Sequence, residues 1–235
     1  KHYLIDFGST LGSASSGANS PRSGFEQHFT WASSAKEFFT LGFYVPKWSR
    51  IDYPNLRSVG RFSAKNFDPV RWTPEYPNPA FNNRLPEDVF WAARQVAMFT
   101  DEEIRAAVKT GEYSDPVAEK YVADTIIARR DRVKRAYLSR ALLLDNIQVV
   151  NGRVRFDDLG VMHGNVPLPD YRYEWFRFDN EVKIRQPGAS SEAVPAVVGL
   201  LALDVRTQQE PNRHVTIYLK PVSGGHKVIG IDRID

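Results

Sequence analysis

The chain has 235 residues and a net charge of +3 at neutral pH, and its 42% hydrophobic and 25% charged residues are ordinary for a globular protein with a substantial core. So small a charge gives no reason to expect nucleic acid as a partner, and the absence of cysteine excludes disulfides, thiolate metal centres and a cysteine nucleophile. The longest apolar run, AVPAVVGLLAL at 193–203, is too short to span a bilayer, and its Pro195 and Gly199 suit a buried strand with a bend.

In chain order, Tyr3-Leu4-Ile5 forms a short apolar strand that ends at Asp6-Phe7-Gly8. The Gly/Ser/Asn/Pro-rich stretch 9–24, STLGSASSGANSPRSG, is expected to be a flexible loop with little independent packing. Residues 25–86 are aromatic and punctuated by prolines, which remove backbone donors and disfavour long helices and central strands. A short helix is expected at 34–41, and Phe38, Phe39, Phe43, Tyr44, Trp48, Phe62, Phe67, Trp72, Tyr76 and Phe81 are expected to fasten this segment onto the helices that follow.

Residues 86–145 carry helix signals. Pro86 opens the first helix, with Glu87 and Asp88 in its first turn and a buried stripe of Val89, Ala93, Val96 and Phe99 or Thr100. Thr100 and Glu103 form a capping box, and Gly111 ends that second helix. Asp115-Pro116 starts a third helix that would run roughly 40 Å if unbroken to Leu144. Val122, Ile126, Val133, Tyr137, Ala141 and Leu144 share one of its faces with Arg129 and Arg140. Three readings are open for these arginines: a snorkelling stem, a pair with a buried acid, or a break in the helix, with phosphate binding as the sharper alternative. The wider basic run to Arg135 reads as a solvated face with Asp124 and Asp131 as partners.

From residue 146 the pattern turns to strands. Asn151-Gly152 between two alternating runs is a two-residue hairpin signal. Tyr171-Arg172-Tyr173-Glu174-Trp175 alternates, and Phe176-Arg177-Phe178 resumes on the other face, which implies a bulge. Further strands at 197–205, 214–219 and 227–232, the last two joined through Ser223-Gly224-Gly225, complete a small antiparallel sandwich-like domain. The expected fold is therefore α+β, a helical region at 1–145 followed by an antiparallel β domain at 146–235.

The sharpest chemical pattern is at the start. A carboxylate at a strand end, followed by Phe-Gly and a Gly/Ser loop, meets the needs of a magnesium ligand beside a segment that rearranges. Ile5-Asp6-Phe7-Gly8-Ser9-Thr10-Leu11-Gly12 resembles the I-D-F-G-x-x-L-G signature of the phosphatidylinositol-kinase-like group of atypical kinases, and more loosely the CotH-type and HipA-type kinases of bacteria. The resemblance implies that Asp6 ligates Mg²⁺ next to ATP, that an activation segment follows, and that 86–145 belongs to a helical C-terminal lobe. In that plan the nucleotide-clamping lysine, the glycine-rich loop, the catalytic aspartate and the second metal-binding asparagine all precede the motif. The expectation is then a C-terminal portion of a kinase-like phosphotransferase or pseudokinase, inactive alone, with a missing N-terminal part of the same protein as its partner. The alternative is a non-enzymatic binding or structural subunit that engages a protein partner through its β domain. Asp157, Asp158 and His163 are the other acid/histidine cluster: they could ligate a metal, or His163 could act as a base with Asp170 behind it, but turn chemistry explains them without either.

Overall fold

A computed structural model describes residues 10–139, 142–163, 166–179, 181–182 and 184–234. The fold is α+β, and the chain divides into two compact units, Lys1–Ala136 and Tyr137–Asp235. The strand at 3–5 and the Asp-Phe-Gly tripeptide, Asp6 included, lie outside the described residues.

The first unit opens with a minimal hairpin of β1 (Ser13–Ala14) and β2 (Gly17–Ala18). The Gly/Ser-rich stretch is more closely tied than its composition predicts. Gly24 bridges Thr73 in both directions at 3.1 and 3.3 Å, and Asn19 bonds back to the Gly12 carbonyl at 2.8 Å. Helix α1 spans Trp31–Phe39, capped by the Thr30 hydroxyl, which accepts from the Ser33 N–H. A 3₁₀ turn at Lys47–Arg50 and a one-turn helix α2 (Pro79–Asn82), capped by Asn78, interrupt the proline-rich segment.

The aromatics of this segment divide. Phe62 is buried, whereas Phe38, Phe39, Phe43 and Tyr76 stand largely in solvent, so the expected fastening holds for only part of the set. Helix α1 buries no residue at all.

Helix α3 (Pro86–Ala97) starts at the predicted proline, and the Asp88 carboxylate accepts from the Leu85 N–H at 2.8 Å. Its buried positions are Phe90, Ala93 and Ala97, one step round from the expected stripe, and Val96 is 38% exposed. Helix α4 (Asp101–Lys109) has both halves of its capping box: the Thr100 hydroxyl accepts from the Glu103 N–H at 3.1 Å, and the Glu103 carboxylate accepts from the Thr100 N–H at 2.8 Å. Helix α5 (Pro116–Tyr137) begins where Asp115 accepts from the Val117 N–H at 2.8 Å. Its Val122 and Ala123 pack on Ile104 and Val108 of α4.

The third helix is shorter than expected, 22 residues or about 33 Å. Leu142 takes a left-handed φ of 64°, which no continuing helix tolerates, and Leu142 and Leu144 join the core of the β unit. The apolar run that looked like the helix's last turns therefore belongs to the second unit, which moves the division from 145/146 to 136/137. Arg140 and Ala141 lie outside the described residues.

In the second unit β3 (Leu144–Val150) and β4 (Arg153–Asp158) form the predicted hairpin, with Asn151 at φ 51° and Gly152 at φ 69° as its two-residue turn. A short α6 (Leu159–Met162) follows. Strands β5 (Tyr171–Asp179), β6 (Ile184–Pro187), β7 (Leu200–Thr207), β8 (His214–Val222) and β9 (Gly225–Ile234) make one antiparallel sheet in the order β6-β5-β7-β8-β9. The β5–β7 register is unbroken from Tyr171↔Thr207 to Phe178↔Leu200, so the expected bulge at Trp175-Phe176 is absent. Tyr171, Tyr173 and Trp175 lie on one face and Phe176 and Phe178 on the other, because both faces of this strand carry aromatics. The register shifts instead between β8 and β9, beside Tyr218 and Leu219. Trp175, Leu201, Leu203, Val205, Val215, Ile217 and Leu219 form the core, and Ile147, Val149, Val154 and Phe156 of the hairpin cover it.

Candidate functional site

The described part of the kinase-like signature is its exit, Thr10-Leu11-Gly12, and here the backbone is demanding. Leu11 and Gly12 have φ values of 50° and 84°. The Gly12 carbonyl accepts from the N–H groups of Asn19 (2.8 Å) and Arg61 (2.9 Å). A methyl group on Gly12 would lie 2.5 Å from the Arg61 carbonyl carbon, and one on Gly60 would collide with the Gly12 carbonyl oxygen. The two glycines let two backbone segments touch, so the signature's final glycine is required by sterics as well as by φ.

Leu11 also lines an open pocket of about 600 Å³ in the same unit. Its floor is Ile104 and Val108 of α4 with Val122 and Ile126 of α5, and Phe62 and Phe99 close its sides. Arg129 of α5 reaches the wall of this apolar space. Its guanidinium carbon lies 4.2 Å from the ring centre of Phe62 and 4.6 Å from that of Phe67, and its Nε and Nη2 donate to the Ser63 carbonyl at 3.0 and 2.7 Å. Burial pulls its pKa down to about 10, still protonated at neutral pH.

Arg129 makes no ion pair with a carboxylate among the described residues. The next residue contrasts with it. Arg130 bonds to Asp101 and Asp131, each at 2.7 Å, and to the Phe99 carbonyl at 2.8 Å. Arg132 donates to the carbonyls of Lys65 and Phe67, and Tyr121 to that of Phe62. The basic run is therefore less a solvated face than the fastening that holds residues 62–67 against α5. Of the two acids expected to partner the run, Asp131 does so through Arg130, whereas Asp124 pairs with Lys120 and Arg105 outside it, and these bonds lower its pKa.

A second polar cluster lies in the β unit, on the sheet face away from its core. Asp204, only 3% exposed, accepts both Nη1 contacts of Arg185 (3.0 and 3.1 Å) and the Thr216 hydroxyl at 2.7 Å. Desolvation works against the Arg185 charge, but Tyr218 and Asp204 outweigh it and raise its pKa. Phe176 and Tyr218 flank the guanidinium, and Tyr218 leans on Phe178 with ring centres 5.0 Å apart.

Asp157 and Asp158 of the acid/histidine cluster are engaged in holding the fold. Asp158 accepts from the N–H groups of Leu142 (2.8 Å) and Gly160 (2.9 Å) and from the Tyr171 hydroxyl at 3.1 Å, and Asp157 accepts from Asn146. Among the described residues no group of three or more histidines and acids is placed to hold a metal ion. None of their helices is long and apolar enough to cross a membrane.

Sequence reasoning placed Arg129 on the apolar face but missed its clamp, because Phe62 and Phe67 are about 60 residues away along the chain. It also missed Asp204 and Arg185, whose only local signal is a lone acid inside an apolar run. Comparison of the chain with family models, with curated proteins and with solved structures finds no match.

Proposed function

We propose that this chain is the C-terminal portion of an atypical kinase-like phosphotransferase or pseudokinase. In this reading Asp6 holds Mg²⁺ against the phosphates of ATP, while the nucleotide-clamping lysine and the catalytic aspartate come from sequence before the motif. The observation that carries the reading is the Ile5–Gly12 signature, whose final Leu-Gly enters a backbone contact that only glycine permits. Three helices follow it at 86–137, as a helical C-terminal lobe would.

The test is Asp6→Ala in the native, longest form of the protein, read as Mg²⁺-dependent phosphate transfer from ATP and as nucleotide affinity. Loss of transfer of about a thousandfold or more supports an active kinase. Loss of Mg²⁺-dependent ATP binding without any transfer in the parent protein supports a pseudokinase. ATP binding and transfer that Asp6→Ala leaves untouched remove the reading.

One observation favours the second reading, a binding subunit that works through its β unit. Phe176 and Tyr218 flank Arg185, and Phe178 packs on Tyr218, on a sheet face that the core does not use. That constellation suits a planar or apolar partner group beside an anion. Loss of a cellular partner on Phe178→Ser, with nucleotide handling intact, would favour it.

A further inference from the structure

The apolar pocket of the first unit has a size and a charge pattern that its own residues leave unexplained. At about 600 Å³ it falls within the roughly 300–1,000 Å³ range of small-molecule sites. Its floor is aliphatic, and covering such a floor with an apolar ligand removes it from water. Arg129 lines this pocket and also a small polar one that it shares with Tyr53, Ser63, Phe67 and Asp68. It is a half-buried cation clasped by two aromatic rings and one carbonyl, with no carboxylate in ion-pair contact among the described residues. Glu103 and Arg130, which also line the apolar pocket, are already bonded to Thr100 and to two aspartates. A desolvated cation without a counter-ion is costly. One residue along, Arg130 has two aspartates, so acids reach this part of the helix and leave Arg129 unmatched.

We propose that the pocket binds an amphipathic monoanion of the fatty-acid class, its hydrocarbon on the Ile104/Val108/Val122/Ile126 floor and its carboxylate at Arg129. Phe62 and Phe67 hold the guanidinium plane in place, so the site is preorganised for a planar carboxylate. The proposal does not rest on the phosphotransfer reading and stands or falls separately from it.

The experiment is isothermal titration calorimetry on the full chain with decanoate and with 1-decanol, which share a chain length and differ in charge. One decanoate binds per chain, at least tenfold more tightly than decanol. Arg129→Met keeps a slim stem between the rings and abolishes the preference for decanoate while decanol still binds. Ala107→Trp, at the exposed rim on α4, fills the space and weakens both ligands at least tenfold. Should Arg129→Met lose both ligands, Arg129→Lys decides: a retained preference for decanoate supports the site, and its loss overturns it. No decanoate binding to the parent chain also overturns the proposal, as it would if another stretch of polypeptide fills the pocket. Equal binding of acid and alcohol, or binding that Ala107→Trp does not disturb, overturns it as well.

Discussion

Single residues in this protein act through geometry more than through charge number, and Tyr171 shows it. Burial first, then the charge of Asp158 and the hydrogen bond to it, push the Tyr171 phenol above its ordinary value of 10.0. The native state therefore keeps this proton at a pH where the unfolded chain has released it. The unfolded state binds fewer protons there, so stability falls as pH rises above about 10 and is insensitive to this group below it. Tyr171→Phe should cost about 1.5 kcal/mol near neutrality, the worth of a hydrogen bond to a charged acceptor, and should flatten the alkaline slope. Urea unfolding of both proteins at about pH 8 and about pH 11 checks this, and parallel losses in the two would show that other groups set the slope. Asp158 itself was visible in the sequence only as half of an acidic pair. Its role depends on Leu142 and Tyr171, which the fold supplies.

At the level of elements, the starts were legible and the faces were not. The Thr100/Glu103 box, Asp115 before Pro116, and Asn151-Gly152 each work within four residues, so they act as written. Thr100→Ala should cost about 1 kcal/mol while Thr100→Ser stays within about 0.5 kcal/mol, because the serine hydroxyl can still accept from Glu103 N–H. Thermal unfolding followed by circular dichroism at 222 nm reads both. Equal losses in the two variants would mean the threonine methyl, not the cap, matters. The buried side of α3 and the alternation along β5 depend on what packs against each face. Apolar residues alone could not reveal that Trp91 is exposed while Phe90 is buried, or that Phe176 and Tyr218 flank a charge. The end of α5 failed for a related reason: helical spacing continues through Ala141 to Leu144, and only the sheet's demand for Leu142 and Leu144 breaks it.

For the molecule as a whole, composition promised an aromatic segment fastened to a core, and the structure leaves a broad stretch of it in solvent. Phe39 is 81% and Phe43 86% exposed, in a segment whose helix buries nothing. Apolar surface of this kind either meets a partner or promotes association. The double replacement Phe39→Ser, Phe43→Ser should leave the melting temperature unchanged, since neither ring contributes to a core, and should lower anilinonaphthalenesulfonate fluorescence and self-association by light scattering. A clear drop in melting temperature would show that these rings are packed in solution. The division at 136/137 was only approximately legible, because the switch from helical to strand periodicity marks where strands begin and not where the second core begins. The strand order β6-β5-β7-β8-β9 carries a consequence for biosynthesis. Each of β7, β8 and β9, as it is made, pairs with a strand that precedes it: β7 finds β5, β8 finds β7, and β9 finds β8. The sheet can grow outward at one margin as translation proceeds, with no early strand left waiting for a distant later one. Nascent chains then expose few unpaired apolar strands of this sheet to their neighbours, which limits misassembly during synthesis.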